Sequence, residues 1–157
     1  MDRVKLSKNF YLDEFQVSQT AARNGIDMSV TEEQKEWLEL LCDRILQPVR
    51  NHFGPVSISS GYRPPKLNKL IGGSKTSQHM LCQAADFNVP GHTPLEVARW
   101  ISLNCEFDQV IHEFGRWVHA SVAQYPRLQE LTAMKVPGLI KPKTKYVPGL
   151  VDIALSL

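Results

Sequence analysis

The clearest pattern in the chain is a run of apolar residues at helical spacing that begins after Thr31. Thr31 and Gln34 form a T-x-x-Q capping box, in which each side chain can bond the other residue's backbone N–H, and this pair predicts the start of a helix. Gly54 marks the predicted end, whereas Pro48 lies inside the pattern and predicts a kink or an early end, because proline has no N–H to donate. The apolar positions of this helix are Trp37, Leu38, Leu41, Cys42, Ile45 and Val49.

Shorter patterns predict helices on both sides of this one and strands mainly in the second half of the chain. Gly25 is a predicted C-terminal cap, and Thr93 with Glu96 predicts another capping box. Gly115 and Arg116 separate two apolar runs and predict a β-hairpin. The predicted elements are helices over residues 12–17, 18–23 and 93–104, and strands over residues 56–59, 84–89, 107–114, 117–122, 131–136 and 145–147.

Length and composition fit a single α+β domain. A chain of 157 residues can bury one core, and because it has no internal repeat and no long linker, we expect one domain over residues 1–157. It is 43% hydrophobic, and no apolar run approaches the roughly 20 residues of a membrane-spanning helix. The net charge of +2 comes without a dense basic stripe, which argues against nucleic-acid binding. The first residues lack the pattern of a secretory signal, so we expect synthesis in the cytoplasm.

Three residues could bring metal ligands together. His79 lies in a predicted loop, Asp86 on the strand that follows it, and His119 on the predicted hairpin. Two imidazoles and one carboxylate would leave the fourth position of a tetrahedral zinc ion open for water, as in catalytic sites. Spacing alone does not establish such a site, because a histidine is more often a surface or packed residue.

The segments around these residues resemble, in order, three motifs of one family. The motif S-x-H-x-x-G-x-A-x-D is matched by Ser77, His79, Ala84 and Asp86, the motif S-G-Y-R by residues 60–63, and a closing W-x-H by residues 117–119. These are motifs of the M15 family of zinc D-Ala-D-Ala carboxypeptidases and related phage endolysins. The resemblance implies a small antiparallel β-sheet with flanking helices, the Hedgehog/DD-peptidase-like fold.

The resemblance also implies a role for each matched side chain. Arg63 would bind a substrate carboxylate or polarise the scissile carbonyl, a task suited to a permanently charged planar group. Tyr62 and Ser77 would contribute to substrate binding, with Ser77 hydrogen-bonding near the metal. Without the resemblance, a surface arginine paired with an acid would be the favoured interpretation of Arg63, and a turn serine the alternative for Ser77. The implied Zn²⁺ ligands are His79, Asp86 and His119.

Cys82 departs from the family pattern because it stands where the family has glycine. A turn that needs positive φ would then carry a side chain, so either the backbone differs or some strain is tolerated. A thiol at this place could also ligate the metal, but it would close the position that catalysis needs. Since the three cysteines are widely and irregularly spaced, we expect reduced thiols at Cys42, Cys82 and Cys105.

Arg116 is the second departure, because many relatives place the general base three residues before the last histidine and arginine cannot accept a proton. A two-residue turn would place His112 opposite His119, whereas a three-residue turn over residues 115–117 would place Glu113 there. We favour Glu113 as the general base, because a carboxylate beside zinc and its water is the usual arrangement in metallopeptidases. His112 is the alternative.

These expectations define one function and an alternative from another class. We expect a zinc-dependent peptidoglycan peptidase acting on stem peptides: a D,D-carboxypeptidase or endopeptidase, or an L-alanyl-D-glutamate endopeptidase. Residues 18–22 look like the start of phage-type members, and the missing secretory pattern suits an enzyme that waits for a membrane pore. We therefore expect a phage or prophage lysis enzyme that reaches the cell wall after holin-type release. The alternative, suggested by Arg116 and Cys82, is a catalytically silent zinc-binding module of a phage particle or signalling complex.

Overall fold

The longest helical stretch begins at Thr31, as the capping box predicts. In the computed structural model, which describes residues 2–153, the Thr31 side chain accepts a hydrogen bond from the Gln34 N–H, and the Gln34 side chain accepts one from the Thr31 N–H. Helix α2 (Glu32–Leu41) leads into a π-helical turn (Cys42–Leu46) and then into α3 (Gln47–Phe53). Pro48 is the second residue of α3, the helix that directly follows this wider, π-helical turn. At that position the residue does not have to donate a backbone N–H, so proline fits. Pro48 is therefore accommodated within a helical stretch that continues to residue 53.

The main β-sheet has six strands in the order β3-β4-β6-β5-β7-β8, and a two-stranded sheet pairs β1 with β2. All neighbouring strands are antiparallel except β5 and β7, which run parallel. The predicted α+β class is confirmed, although the larger sheet is mixed rather than wholly antiparallel. The strands are β1 (Lys5–Ser7), β2 (Phe10–Tyr11), β3 (Ser57–Ser60), β4 (Ala84–Asn88), β5 (Gln109–Glu113), β6 (Trp117–Ser121), β7 (Gln129–Val136) and β8 (Lys143–Pro148).

The remaining helices are short, except for one that packs on the sheet. Helix α1 (Gln19–Arg23) begins at Ser18 and is followed by Gly25 at φ +61°. In α5 (Pro94–Asn104) the Thr93 side chain accepts from the Glu96 N–H, but the Glu96 carboxylate lies 3.2 Å from His92 Nδ1, so only half of the predicted capping box forms. The other helical segments are α4 (Pro65–Leu70) and two 3₁₀ turns, Leu12–Phe15 and Gln78–Leu81.

The two faces of the sheet differ in character. Side chains alternate along each strand, so one face carries apolar residues that pack against the helices and the other carries polar groups. On β6, for example, Val118 and Ala120 face the core, and His119 lies on the opposite face between them. The central buried positions include Phe10, Leu38, Ile45, Phe87, Val97, Ile101, Val110 and Val118.

The β5–β6 hairpin has neither of the two predicted registers. Glu113 pairs with Trp117 across a three-residue turn, which places Ile111 opposite His119. The turn spans residues 114–116, because Phe114 (φ +59°) and Gly115 (φ +69°) both adopt left-handed conformations. A left-handed phenylalanine is rare, so the residue pattern gave no reason to place it inside the turn.

Two remaining expectations concern the ends of the chain and membranes. Leu150 packs against the core, but residues 154–157, the end of the predicted domain, lie outside the described residues. Among residues 2–153, no helix has both the length and the apolar character that a bilayer crossing requires.

Candidate metal centre

The three predicted metal ligands converge on the polar face of the sheet. Asp86 on β4 and His119 on β6 are direct cross-strand partners, so the antiparallel register itself places their side chains together. His79 comes from the 3₁₀ turn before β4, and the Ser77 side chain caps this turn by accepting the His79 N–H at 3.2 Å. Two neighbouring strands and one capped turn therefore build the cluster.

The donor atoms have the spacing of a metal site. Asp86 Oδ1 lies 2.9 Å from His119 Nδ1 and 3.4 Å from His79 Nε2, and all three ligand atoms lie within 4.8 Å of one another. Tetrahedral zinc with bonds of about 2.1 Å would set its ligands about 3.4 Å apart, so the set fits this ion. His79 Nδ1 donates to the Gly61 carbonyl at 2.8 Å, which leaves Nε2 with its lone pair for a metal.

Electrostatics prepares the cluster for a cation. Burial alone would raise the pKa of Asp86, but the hydrogen bond from His119 and the proximity of both imidazoles outweigh it and hold that pKa well below its usual range. Burial likewise opposes charge on His119, yet the bond to Asp86 outweighs it and raises the pKa of the imidazole. The proton between His119 and Asp86 would leave when a divalent cation binds, because metal ligands must be deprotonated.

Glu113 and His112 are neighbours on β5 but face opposite sides of the sheet. Glu113 lies on the polar face, with its carboxylate oxygen Oε1 3.9 Å from His119 Nδ1. Burial and then the negative charge of Asp86 raise the pKa of Glu113. His112 faces the other side, where its Nδ1 donates to the Val151 carbonyl at 3.1 Å and burial lowers its pKa. The structure thus brings Glu113, and not His112, to the cluster.

Arg63 reaches the cluster from the segment after β3 and is held on several sides. Its N–H donates to the His79 carbonyl at 3.0 Å, and its Nη1 donates to Asn68 Oδ1, also at 3.0 Å. Burial lowers the pKa of Arg63, but guanidinium remains charged at ordinary pH. A Cβ at Gly73 would come within 2.9 Å of Arg63 Nη1 and 2.1 Å of Asn68 Oδ1, so a side chain there would displace this pair.

A cleft of about 710 Å³ runs over the cluster. Ser77 lies in its wall, but Tyr62 packs into the core and lines a smaller cavity of about 380 Å³ instead. The larger cleft also contains residues for which no motif in the sequence suggested a role. They lie on a loop and an edge strand that only folding brings together, and they are Arg127 and Tyr146.

Cys82 adopts a left-handed backbone conformation, which only glycine reaches without steric cost. Its φ of +60° and ψ of +26° are left-handed, and its side chain is fully buried. Among the described residues, the group of possible metal ligands does not include Cys82. Burial raises the pKa of its thiol to about 12, so the thiol stays protonated at neutral pH. The backbone strain at Cys82 is therefore tolerated, and the candidate metal ligands remain His79, Asp86 and His119.

Comparison with known proteins agrees with this geometry. A search of curated proteins gives no significant match. A family model described as Peptidase M15 matches residues 8–121, a range that contains all three candidate ligands, Arg63 and Glu113. Because this match covers well over half of the chain, we conclude that the chain belongs to the peptidase M15 family.

Proposed function

We propose that the chain is a zinc-dependent peptidase that cleaves the stem peptides of bacterial peptidoglycan. Family membership makes it a peptidase, and a buried cluster of two histidines and one aspartate can hold the metal. The observation that carries the proposal is the bond from His79 Nδ1 to the Gly61 carbonyl, because it fixes the ring with Nε2 directed at Asp86. A histidine oriented from behind in this way is typical of metal sites.

The residues around the cluster have complementary tasks in this proposal. Zinc, when bound by His79, Asp86 and His119, acts as a Lewis acid that makes water more acidic and carbonyls more electrophilic. Glu113 takes the proton of the attacking water and passes it to the leaving amine. Its raised pKa suits the first step, because a more basic carboxylate is a stronger proton acceptor, and the carboxyl group formed is still a competent donor in the second. Arg63 holds a carboxylate or carbonyl of the substrate.

The cell-wall substrate rests on the motifs of residues 60–63 and 77–86, which resemble those of peptidoglycan peptidases. The candidate bonds are the D-Ala-D-Ala bond and the L-alanyl-D-glutamate bond. We further propose a phage-type lysis role, supported by the resemblance of residues 18–22 to phage-type members, with access to the wall through a holin-type pore.

Mass spectrometry of peptidoglycan fragments tests this proposal. Purified protein is incubated with defined muropeptides, with added zinc and with a chelator, and the fragment masses identify the bond cleaved. We expect cleavage that the chelator stops and zinc restores, and no cleavage by a His119→Ala variant. If zinc-loaded protein cleaves no fragment, the silent zinc-binding module becomes the better description.

A silent module is the less favoured function because of where its two supporting residues lie. Arg116 sits exposed in the hairpin turn, while Glu113 supplies a carboxylate at the cluster. Cys82 keeps the backbone that a glycine would adopt. A structural site also closes its metal with four protein ligands, whereas three converge among the described residues.

A further inference from the structure

A second arginine is fixed at the edge of the cleft by a buried carboxylate. Asp108, just before β5, is only 1% exposed. Its carboxylate accepts hydrogen bonds from three nitrogen atoms of Arg127. The Arg127 backbone N–H bonds Oδ1 at 2.9 Å, Nε bonds Oδ1 at 3.0 Å, and Nη2 bonds Oδ2 at 2.7 Å. Such a side-on pair fixes the plane of the guanidinium.

Only one edge of this guanidinium is used by the protein. Within residues 2–153, the Arg127 side chain bonds no acceptor other than Asp108, so Nη1 keeps both of its N–H groups. Arg127 lines the same cleft as the metal cluster, and its side chain is 55% exposed. A planar donor that is oriented in advance loses little entropy on binding an anion.

The strand geometry gives the approximate distance from the cluster to Asp108, the residue that holds Arg127. Ile111 lies opposite His119, and Asp108 comes three residues earlier along the chain. At a rise of about 3.4 Å per residue, Asp108 lies roughly 10 Å from the cluster along the strand direction. Glu113 lies on the other side of Ile111, so the candidate base and Arg127 flank the cluster at opposite ends. A direct link also exists, because Gln78, next to His79, donates to Asp108 Oδ2 at 3.0 Å.

The charges of the cleft point to an anionic ligand for Arg127. The two carboxylates near the cluster, Asp86 and Glu113, have tasks in metal binding and proton transfer, and Asp108 is already paired. Arg63 and Arg127 are the cationic side chains that line the cleft. One arginine would bind the substrate near the scissile bond, which leaves the other for a group farther along the chain.

We propose that Arg127 binds a second carboxylate of the substrate, about three residues from the scissile bond. This inference rests on the proposed peptidase function and deepens it, because an extended peptide advances about 3.3–3.6 Å per residue and so spans roughly 10 Å in three residues. The cleft therefore selects acidic peptides of at least four residues over free dipeptides.

Matched peptides test this subsite through binding, without relying on turnover. Two stem-type peptides are compared that differ only in a carboxylate or a carboxamide at the remote position. Their Kd values are measured by calorimetry on zinc-loaded protein carrying Glu113→Gln, which should bind without cleaving. The carboxylate peptide should bind about 10-fold to 100-fold more tightly, as expected for a hydrogen bond between charged groups. Equal Kd values would overturn the inference.

Variants of Arg127 assign the preference to this side chain. In the same Glu113→Gln background, Arg127→Gln should reduce the preference to within about threefold, and Arg127→Lys should keep part of it, because lysine retains the charge but not the planar fork. Arg116→Gln, an exposed arginine in the hairpin turn, is the matched control and should keep the full preference. Thermal unfolding must show that each variant is folded.

The outcomes separate the subsite from the activity. A carboxylate preference that survives in folded Arg127→Gln protein would overturn the assignment to Arg127. Absence of hydrolysis by the zinc-loaded wild-type protein, together with a normal carboxylate preference in Kd, would reject the proposed peptidase function and support the subsite.

Discussion

Glu113 and His112 differ at the residue scale by one position along a strand, and this one step decides which can reach the cluster. Replacing Glu113 by glutamine keeps the shape of the side chain but removes the proton acceptor. We expect kcat to fall about 10²-fold to 10⁴-fold. Zinc content, measured by atomic emission, should stay at one ion per chain because the three proposed ligands are unchanged.

The matched variant His112→Gln tests whether the side of the sheet that a residue faces decides its role. The His112 side chain bonds the Val151 carbonyl on the side away from the cluster, so kcat of this variant should stay within about threefold of the wild-type value. The assignment of Glu113 as the base would be wrong if His112→Gln were the inactive variant and Glu113→Gln the active one.

Cys82 combines a left-handed backbone, which lowers the stability of the fold, with a buried side chain, which raises it. Cys82→Gly should relieve about 1–2 kcal/mol of backbone strain and lose a similar amount from burial, so its free energy of unfolding should change by less than about 1 kcal/mol. Cys82→Val adds a β-branched side chain at φ +60° and should cost at least about 2 kcal/mol. Urea denaturation measures both.

The buried Cys42 provides the control for this series. It has an ordinary helical φ of −63°, so Cys42→Val should destabilise by about 1 kcal/mol or less. If Cys82→Val and Cys42→Val have equal effects, backbone strain at residue 82 is not the cause.

The β5–β6 hairpin is the element whose turn sets the position of the candidate base. Gly115 has a φ of +69°, and a Cβ there would meet only Ile153 Cδ1 at 3.7 Å, an ordinary contact. Gly115→Ala should therefore lower the free energy of unfolding only by the strain of an alanine in a left-handed backbone, about 1–2 kcal/mol. Thermal or chemical denaturation tests this value.

Arg116→Ala is the control in the same turn, because Arg116 is exposed and is not a positive-φ residue. Its effect should stay within about 0.5 kcal/mol. An equal loss of unfolding free energy in both variants would mean that the turn is destabilised by any substitution, and that the left-handed backbone of Gly115 is not the cause.

Metal binding acts at the scale of the whole molecule, because the proposed ligands come from a turn and two paired strands of the main sheet. At a zinc concentration of about 1,000 times Kd, binding to the native state would stabilise it by about 4 kcal/mol. For a domain of this size, such a gain corresponds to a rise in Tm of roughly 8–16 °C. Differential scanning calorimetry with zinc and then chelator measures the shift.

Two histidine variants show whether the shift comes from the cluster. His119→Ala removes one proposed ligand and should abolish most of the rise in Tm. His92→Ala removes a histidine that pairs with Glu96 away from the cluster, and it should keep the full shift. A shift that persists in His119→Ala would place zinc elsewhere.

The sequence by itself determined the features that depend on neighbouring residues. The capping box at Thr31 and the helix after it follow from contacts between residues three or four positions apart, which composition and spacing reveal. Strand alternation in residues 84–88 and 117–121 likewise predicts which side chains share a face. The order of the motifs was sufficient to indicate the M15 family, which the family comparison confirms.

Tertiary structure alone decided what depends on distant segments. The hairpin register followed from a left-handed Phe114, whose N–H donates to the Ala133 carbonyl of β7, a contact that local pattern cannot show. The parallel pairing of β7 with β5 and the buried ion pair of Asp108 with Arg127 also join segments that are remote in sequence. Such contacts form only when the chain closes long loops around a common core, so no local preference of the residues encodes them.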